Sequence, residues 1–261
     1  MGNALLKLYY DLGTLKKDDS LKNAPYFILK HISEIYSDFS LNHFKLDYKT
    51  FTFNSDSNIK EDLLRLEKHS NELIKNNDKI LFLGGDHSIS YATISAFKEY
   101  YANGKVIVFD AHPDVESDFF ISHEDYLRIL INESILKPED VFLIGLRNAS
   151  KEEIEFLKKK HIQYYNALEI QRDLEKIKDA LNLFIKDVPI YLSIDNDVFD
   201  FGFATGYYEP LGINLFQFIT LIESFKSRIK AFDIVEYYPS KDINEINAKN
   251  LASLIFYLFS Q

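Results

Sequence analysis

The chain contains no cysteine. That excludes disulfides, thiolate zinc sites and a cysteine nucleophile, fits a reducing compartment, and leaves only oxygen and imidazole to hold any metal. Glycine and proline are scarce, at nine and six of 261 residues, which argues against a linker-rich or disordered chain. No apolar run is long enough to cross a bilayer, and the opening Met1-Gly-Asn-Ala-Leu-Leu-Lys7 lacks the basic, apolar and cleavage regions of a secretory leader. A cytoplasmic protein without membrane contact is expected. Positive charge is also short: 30 Lys and Arg stand against 40 Asp and Glu, a formal net charge of −10. Nucleic acid is therefore a poor partner, since no cationic excess is available to displace phosphate counterions. The acidic excess reads as a solvated surface, as carboxylates gathered round cations, or as both.

What is present is a sequence 46% hydrophobic and 15% aromatic, enough to build one large core, and we expect a single domain over residues 1–261. Short β-rich runs alternate with longer stretches of helical period. Eight strands are expected at Leu5–Tyr10, Phe44–Phe53, Ile80–Gly84, Val106–Asp110, Val141–Leu146, Ile162–Tyr165, Ile190–Asp195 and Ile229–Val235. Helices are expected over 20–36, 61–74, 88–103, 122–135, 151–160, 168–186, 215–227 and 244–260. Several strands are almost wholly apolar, so both sheet faces must be covered by crossover helices. The expected fold is α/β: a three-layer α/β/α sandwich with a mainly parallel eight-stranded sheet. In such a sheet, ligands bind outside the carboxyl ends of the strands.

Three of those ends are unusually polar: Leu81-Phe-Leu-Gly-Gly-Asp-His-Ser88, Phe109-Asp-Ala-His-Pro-Asp-Val-Glu116 and Tyr191-Leu-Ser-Ile-Asp-Asn-Asp-Val198. Residues two apart on an extended segment share a side, so Asp110, His112 and Asp114 converge, as do Asp195 and Asp197. With His87 this makes four carboxylates and two imidazoles. Such a cluster repels itself and takes up protons unless cations neutralise it. Two divalent ions balance four aspartates, and an oxygen-rich set with one histidine per ion suits Mn²⁺ better than tetrahedral zinc. Taken singly, each segment also reads as a turn or helix cap. A mononuclear metal deacetylase is a rival, and the presence of both Asp114 and Asp197 favours two ions.

The sequence resembles the ureohydrolase family of arginases, agmatinases and formimidoylglutamases. GGDHS, DAHPD, IGLR at 144–147, SIDND and Phe232-Asp-Ile-Val-Glu-Tyr-Tyr-Pro239 occur in the family's order, and Lys22-Asn-Ala-Pro25 is similar to its early "GP" element. The resemblance implies an arginase-like fold and two Mn²⁺ ions, one on His87, Asp110, Asp114 and Asp195, the other on His112, Asp110, Asp195 and Asp197. It further implies that Glu236 grips the substrate guanidinium, a planar cation matched to a carboxylate, and that His123 shuttles protons. The alternatives are a surface glutamate and a helix-start histidine. Proton delivery to the departing amine falls to Asp114 or His123. A homo-oligomer, trimeric or hexameric, is also implied. His31, His43, His69 and His161 lack companion ligands and receive no role.

Departures from the family bear on substrate. Glu116 stands where arginases bind the α-carboxylate of arginine with an uncharged Asn, and Ser150 replaces an Asp that receives the α-amino group. A small guanidino compound with a cationic tail, as in agmatine, is therefore expected over arginine, with release of urea and an amine. Arginase-type or formimidoylglutamase-type activity, or a catalytically weak metal-binding member, are the alternatives. Glu124, Phe201 and Asn214 also depart from the family pattern, and Tyr207 and Tyr208 crowd the same rim.

Overall fold

The computed structural model describes residues 2–15, 18–43, 45–55, 58–117 and 121–260. Its centre is one eight-stranded sheet: β1 (Asn3–Tyr9), β2 (Tyr48–Asn54), β3 (Lys79–Leu83), β4 (Lys105–Phe109), β5 (Val141–Leu146), β6 (Gln163–Asn166), β7 (Ile190–Asp195) and β8 (Ile229–Val235). Every pairing is parallel, in the order β2-β1-β3-β8-β7-β4-β5-β6. Each expected strand is present. The second is shorter than expected and begins at Tyr48; Phe44 lies outside the described residues.

The helices are α1 (Ala24–Leu29), α2 (Ile59–Asn76), α3 (Ile89–Tyr100), α4 (Tyr126–Asn132), α5 (Lys151–Lys160), α6 (Ala167–Arg172), α7 (Leu174–Ile185), α8 (Leu215–Ile222) and α9 (Ile246–Phe259). Helix α2 starts where Asn58 accepts the N–H groups of Lys60 and Glu61, and it buries Leu63, Leu66, Leu73 and Ile74 along one stripe. The stretch 168–186 is two helices, because the Asp173 side chain turns to accept the N–H of Lys176 and starts α7 afresh. The stretch 122–135 is helical only over α4: Ser122 N–H bonds to Asp125, and the chain before Tyr126 is a turn.

Alternation along the strands sends side chains into two cores. Leu81, Leu83, Ile107, Phe109, Leu192, Ile194, Phe232 and Ile234 pack with α1, α6, α7, α8 and α9. Ile80, Phe82, Val106, Val108, Leu143, Tyr191 and Ala231 pack with α2, α3, α4 and α5. The three-layer sandwich follows, and it leaves the carboxyl ends of β3, β8, β7 and β4, the four central strands, side by side at one rim.

Candidate metal centre

Each candidate ligand reaches this rim by a local device. After β3 the chain turns sharply through Gly84 and Gly85, with φ of +93° and +86°; a Cβ at Gly84 would lie 2.6 Å from Pro25. The turn exposes the N–H of His87 to Glu236 Oε1 at 2.9 Å. After β4, Asp110 Oδ1 accepts the N–H of His112 at 2.7 Å, and after β7, Asp195 Oδ1 accepts the N–H of Asp197 at the same distance. These are side-chain-closed turns, so the carboxylates gather by turning back on their own backbone and not along an extended segment as the spacing implied. Asp114 and Glu236 adopt left-handed φ of 52° and 58°, a conformation costing an L-residue about 1–2 kcal/mol. Both line the same cleft, where such strain is commonly stored.

The six side chains named from the sequence come together. His87 Nδ1 lies 3.1 Å from Asp110 Oδ2, 2.8 Å from Asp114 Oδ2 and 3.4 Å from Asp195 Oδ2. His112 Nδ1 lies 2.9 Å from Asp197 Oδ2 and 3.7 Å from Asp110 Oδ1. Two groups thus form around Asp110: His87–Asp110–Asp114 and Asp110–His112–Asp197. Buried His87 Nδ1, Asp110 Oδ2 and Asp114 Oδ2 face one another without a well-formed hydrogen bond to any of them. Orphaned lone pairs aimed at one point, in a dry setting, fit a cation.

The electrostatics agree. Burial raises Asp195 far above the usual carboxylate range, with Asp197 and Asp110 adding repulsion; burial and Asp110 raise Asp114. His87 and His112 are pushed well above a normal imidazole despite burial, His87 by Tyr126 and by Asp110, Asp114 and Asp195, His112 by Asp110 and Asp197. The cluster holds extra protons where a divalent ion would replace them.

Beyond the ligands stands a buried network that the motifs did not expose. Asp233, within β8, accepts hydrogen bonds from Ser193 Oγ, Ser90 Oγ, Tyr191 OH and the N–H of Ile194, at 2.6–3.1 Å. Because Ser193 donates to Asp233, its oxygen is placed to accept from His87 Nε2 at 2.9 Å; Tyr126 OH lies 3.1 Å from the same nitrogen. This fixes the proton of neutral His87 on Nε2 and turns the Nδ1 lone pair to the carboxylates. The available signal was a charged residue inside a buried apolar strand, which demands partners.

His123 Nδ1 sits 3.3 Å from Glu236 Oε1, and its Nε2 faces the N–H of Leu15 at 3.3 Å. The Leu15 contact needs a lone pair and belongs to the neutral ring. Burial also opposes charge, yet Glu236 lifts the ring to about 9, and a full charge in a dry setting outweighs one backbone dipole. Glu236 in turn is held below the usual range, against burial, by His123. Ser150 opens α5 in a reciprocal capping box with Glu153. Glu116 is half-buried and its N–H bonds to the carbonyl of Glu124. All four residues line, with His87, His112, Asp114, Asp195, Asp197, Glu124, Glu153, Asn148 and Tyr207, a cleft of about 340 Å³.

The family model described as the arginase family matches residues 10–260. The chain belongs to the arginase family. An arginase of Staphylococcus aureus (strain COL) is 31% identical over 221 residues, covering 76% of this chain and 72% of that one. An uncharacterised 32.2 kDa protein of Methanothermus fervidus is 32% identical over 197 residues, covering 72% of this chain and 66%, just under two thirds, of that protein. Formimidoylglutamase from Bacillus subtilis shares the fold, with a TM-score of 0.87 at 20% identity, over 99% of this chain and 86% of that one.

Proposed function

We propose that this arginase-family protein is a hydrolase holding two Mn²⁺ ions, and that it cleaves a C–N bond of a guanidino compound to give urea and an amine, with an agmatine-like substrate preferred to arginine. His87, Asp110, Asp114 and Asp195 would hold one ion, and His112, Asp110, Asp195 and Asp197 the other. Two such ions would supply an activated water near neutral pH.

The chain's own groups do the rest. Glu236, kept ionised, orients the guanidinium plane beside that water. The proton for the departing amine comes from Asp114 or His123; His123, which holds no ion in this reading, is lifted to about 9 by Glu236 and carries a proton at neutral pH. Tyr207, whose ring lies 6.0 Å from His123 and 6.4 Å from His112, lines the cleft beside both.

The observation that carries the substrate class is charge. Glu116, Glu124, Glu153 and Glu236 line the cleft beside the ligands, and no Lys or Arg does so among the described residues. A second cationic group at the tail is favoured there, and the carboxylates of arginine or formimidoylglutamate are repelled. One domain, a cytoplasmic setting and a homo-oligomer belong to the same reading; no described helix is long and apolar enough to cross a membrane. A urea-release assay on Mn²⁺-reconstituted protein, across agmatine, guanidinobutyrate, guanidinopropionate and arginine, tests it. Agmatine turnover well above arginine is expected; equal or reversed rates overturn the preference, and no urea from any overturns the activity.

A further inference from the structure

The two histidines differ in what stands behind them. His87 has hydroxyls; His112 has a carboxylate, because Glu209 Oε1 lies 3.6 Å from its Nε2. Glu209 belongs to none of the motifs that mark the site, yet two consecutive residues at the end of β5 hold it. Asn148 Nδ2 donates to Glu209 Oε1 at 2.8 Å, and the Arg147 guanidinium donates to the Glu209 carbonyl at 3.3 Å. The same guanidinium donates to the carbonyls of Gly145 and Val198, at 2.9 and 3.2 Å, and to that of Asp197. It thereby ties the Glu209 loop to the loop bearing Asp197.

We infer that Glu209 is a positioning residue for His112: its carboxylate, beside Nε2, favours the neutral tautomer with the proton on that nitrogen, and so presents the Nδ1 lone pair toward Asp197 and Asp110 for the second metal ion. Nδ1 already faces those carboxylates, at 2.9 and 3.7 Å. The His112 side chain is 25% exposed, so without Glu209 its Nε2 faces solvent and the proton is as readily carried on Nδ1, toward Asp197. Asn148 keeps the carboxylate aimed at the ring. The loop that reaches the substrate cleft through Tyr207 therefore also governs whether the second ion is held.

This inference rests on the two-metal reading, and stepwise Mn²⁺ titration of the full chain separates the two. Wild-type protein should take up two ions per chain. Glu209→Ala should weaken the second step about 10- to 100-fold, with the first step and the melting temperature of the metal-free protein unchanged. Glu209→Gln, whose amide oxygen still favours a proton on Nε2, should recover part of the loss. An unchanged second step in Glu209→Ala overturns the role of Glu209 and leaves two metals standing. Fewer than two ions on wild-type protein overturns both. Should Glu209→Ala fail to fold, Asn148→Ala reads the same step: a smaller weakening confined to the second ion is expected, and none overturns the inference.

Discussion

The half of the site built on His87 is sealed and the half built on His112 is open. The His87 side chain is 1% exposed and that of His112 is 25%. A buried imidazole cannot borrow hydrogen bonds from water, so the sealed half brings its own: Ser193, Tyr126 and, behind Ser193, Asp233 with four donors. The open half relies on one carboxylate carried by a rim loop. Rigidity is thus invested on one side and access on the other. That division suits a site in which one ion anchors and the other meets the substrate.

The largest effect is expected where the sealed half is cut. Asp233→Ala leaves three hydroxyls and the N–H of Ile194 without their acceptor in a dry core, and should lower unfolding stability by about 3 kcal/mol or more. Tyr207→Ala on the open side should change it by no more than about 0.5 kcal/mol. Urea denaturation of the metal-free proteins compares them, and equal losses would erase the distinction. Next comes Ser193→Ala, which removes one of two oxygens at His87 Nε2. Its tightest Mn²⁺ step should weaken about 10-fold, the lower end for a partner behind a ligand, because Tyr126 remains. A chelator competition reads this; a loss confined to the weaker step would reverse the assignment of sealed and open ions.

A third contrast concerns pH. His123 has its folded-state pKa raised to about 9 by Glu236, above its unfolded value of about 6.5. The stability it contributes is fully present below about pH 6.5 and is lost as pH rises through about 9. The gap in stability between metal-free wild type and His123→Asn should therefore shrink from pH 6 to pH 9.5 by a few degrees of melting temperature, on the order expected for a chain of this size. A constant gap contradicts the His123–Glu236 pairing.

These contrasts also show what the sequence could carry. Strand positions were legible because a fully buried parallel strand must be apolar, and the clustering of the six side chains because they sit on polar strand ends. The order of strands was not, since parallel crossovers can join non-neighbours. Helix ends moved wherever a single side chain restarted the chain, as Asp173 does between α6 and α7. The partners behind the ligands were hidden by distance: Ser193 is 106 positions from His87, and Asp233 reaches the network only because β8 lies against β7. Glu209 was hidden differently, in a loop without periodicity whose place depends on Arg147 and Asn148.

The central claim is that two cations share Asp110 between unlike halves. Diffraction from crystals grown with excess Mn²⁺, measured at the manganese absorption edge, tests it most directly. We expect two anomalous peaks, one against His87 Nδ1 and Asp114, the other against His112 Nδ1 and Asp197, with Asp110 reaching both. A single peak, or the two imidazoles turned away from a vacant cleft, would contradict it.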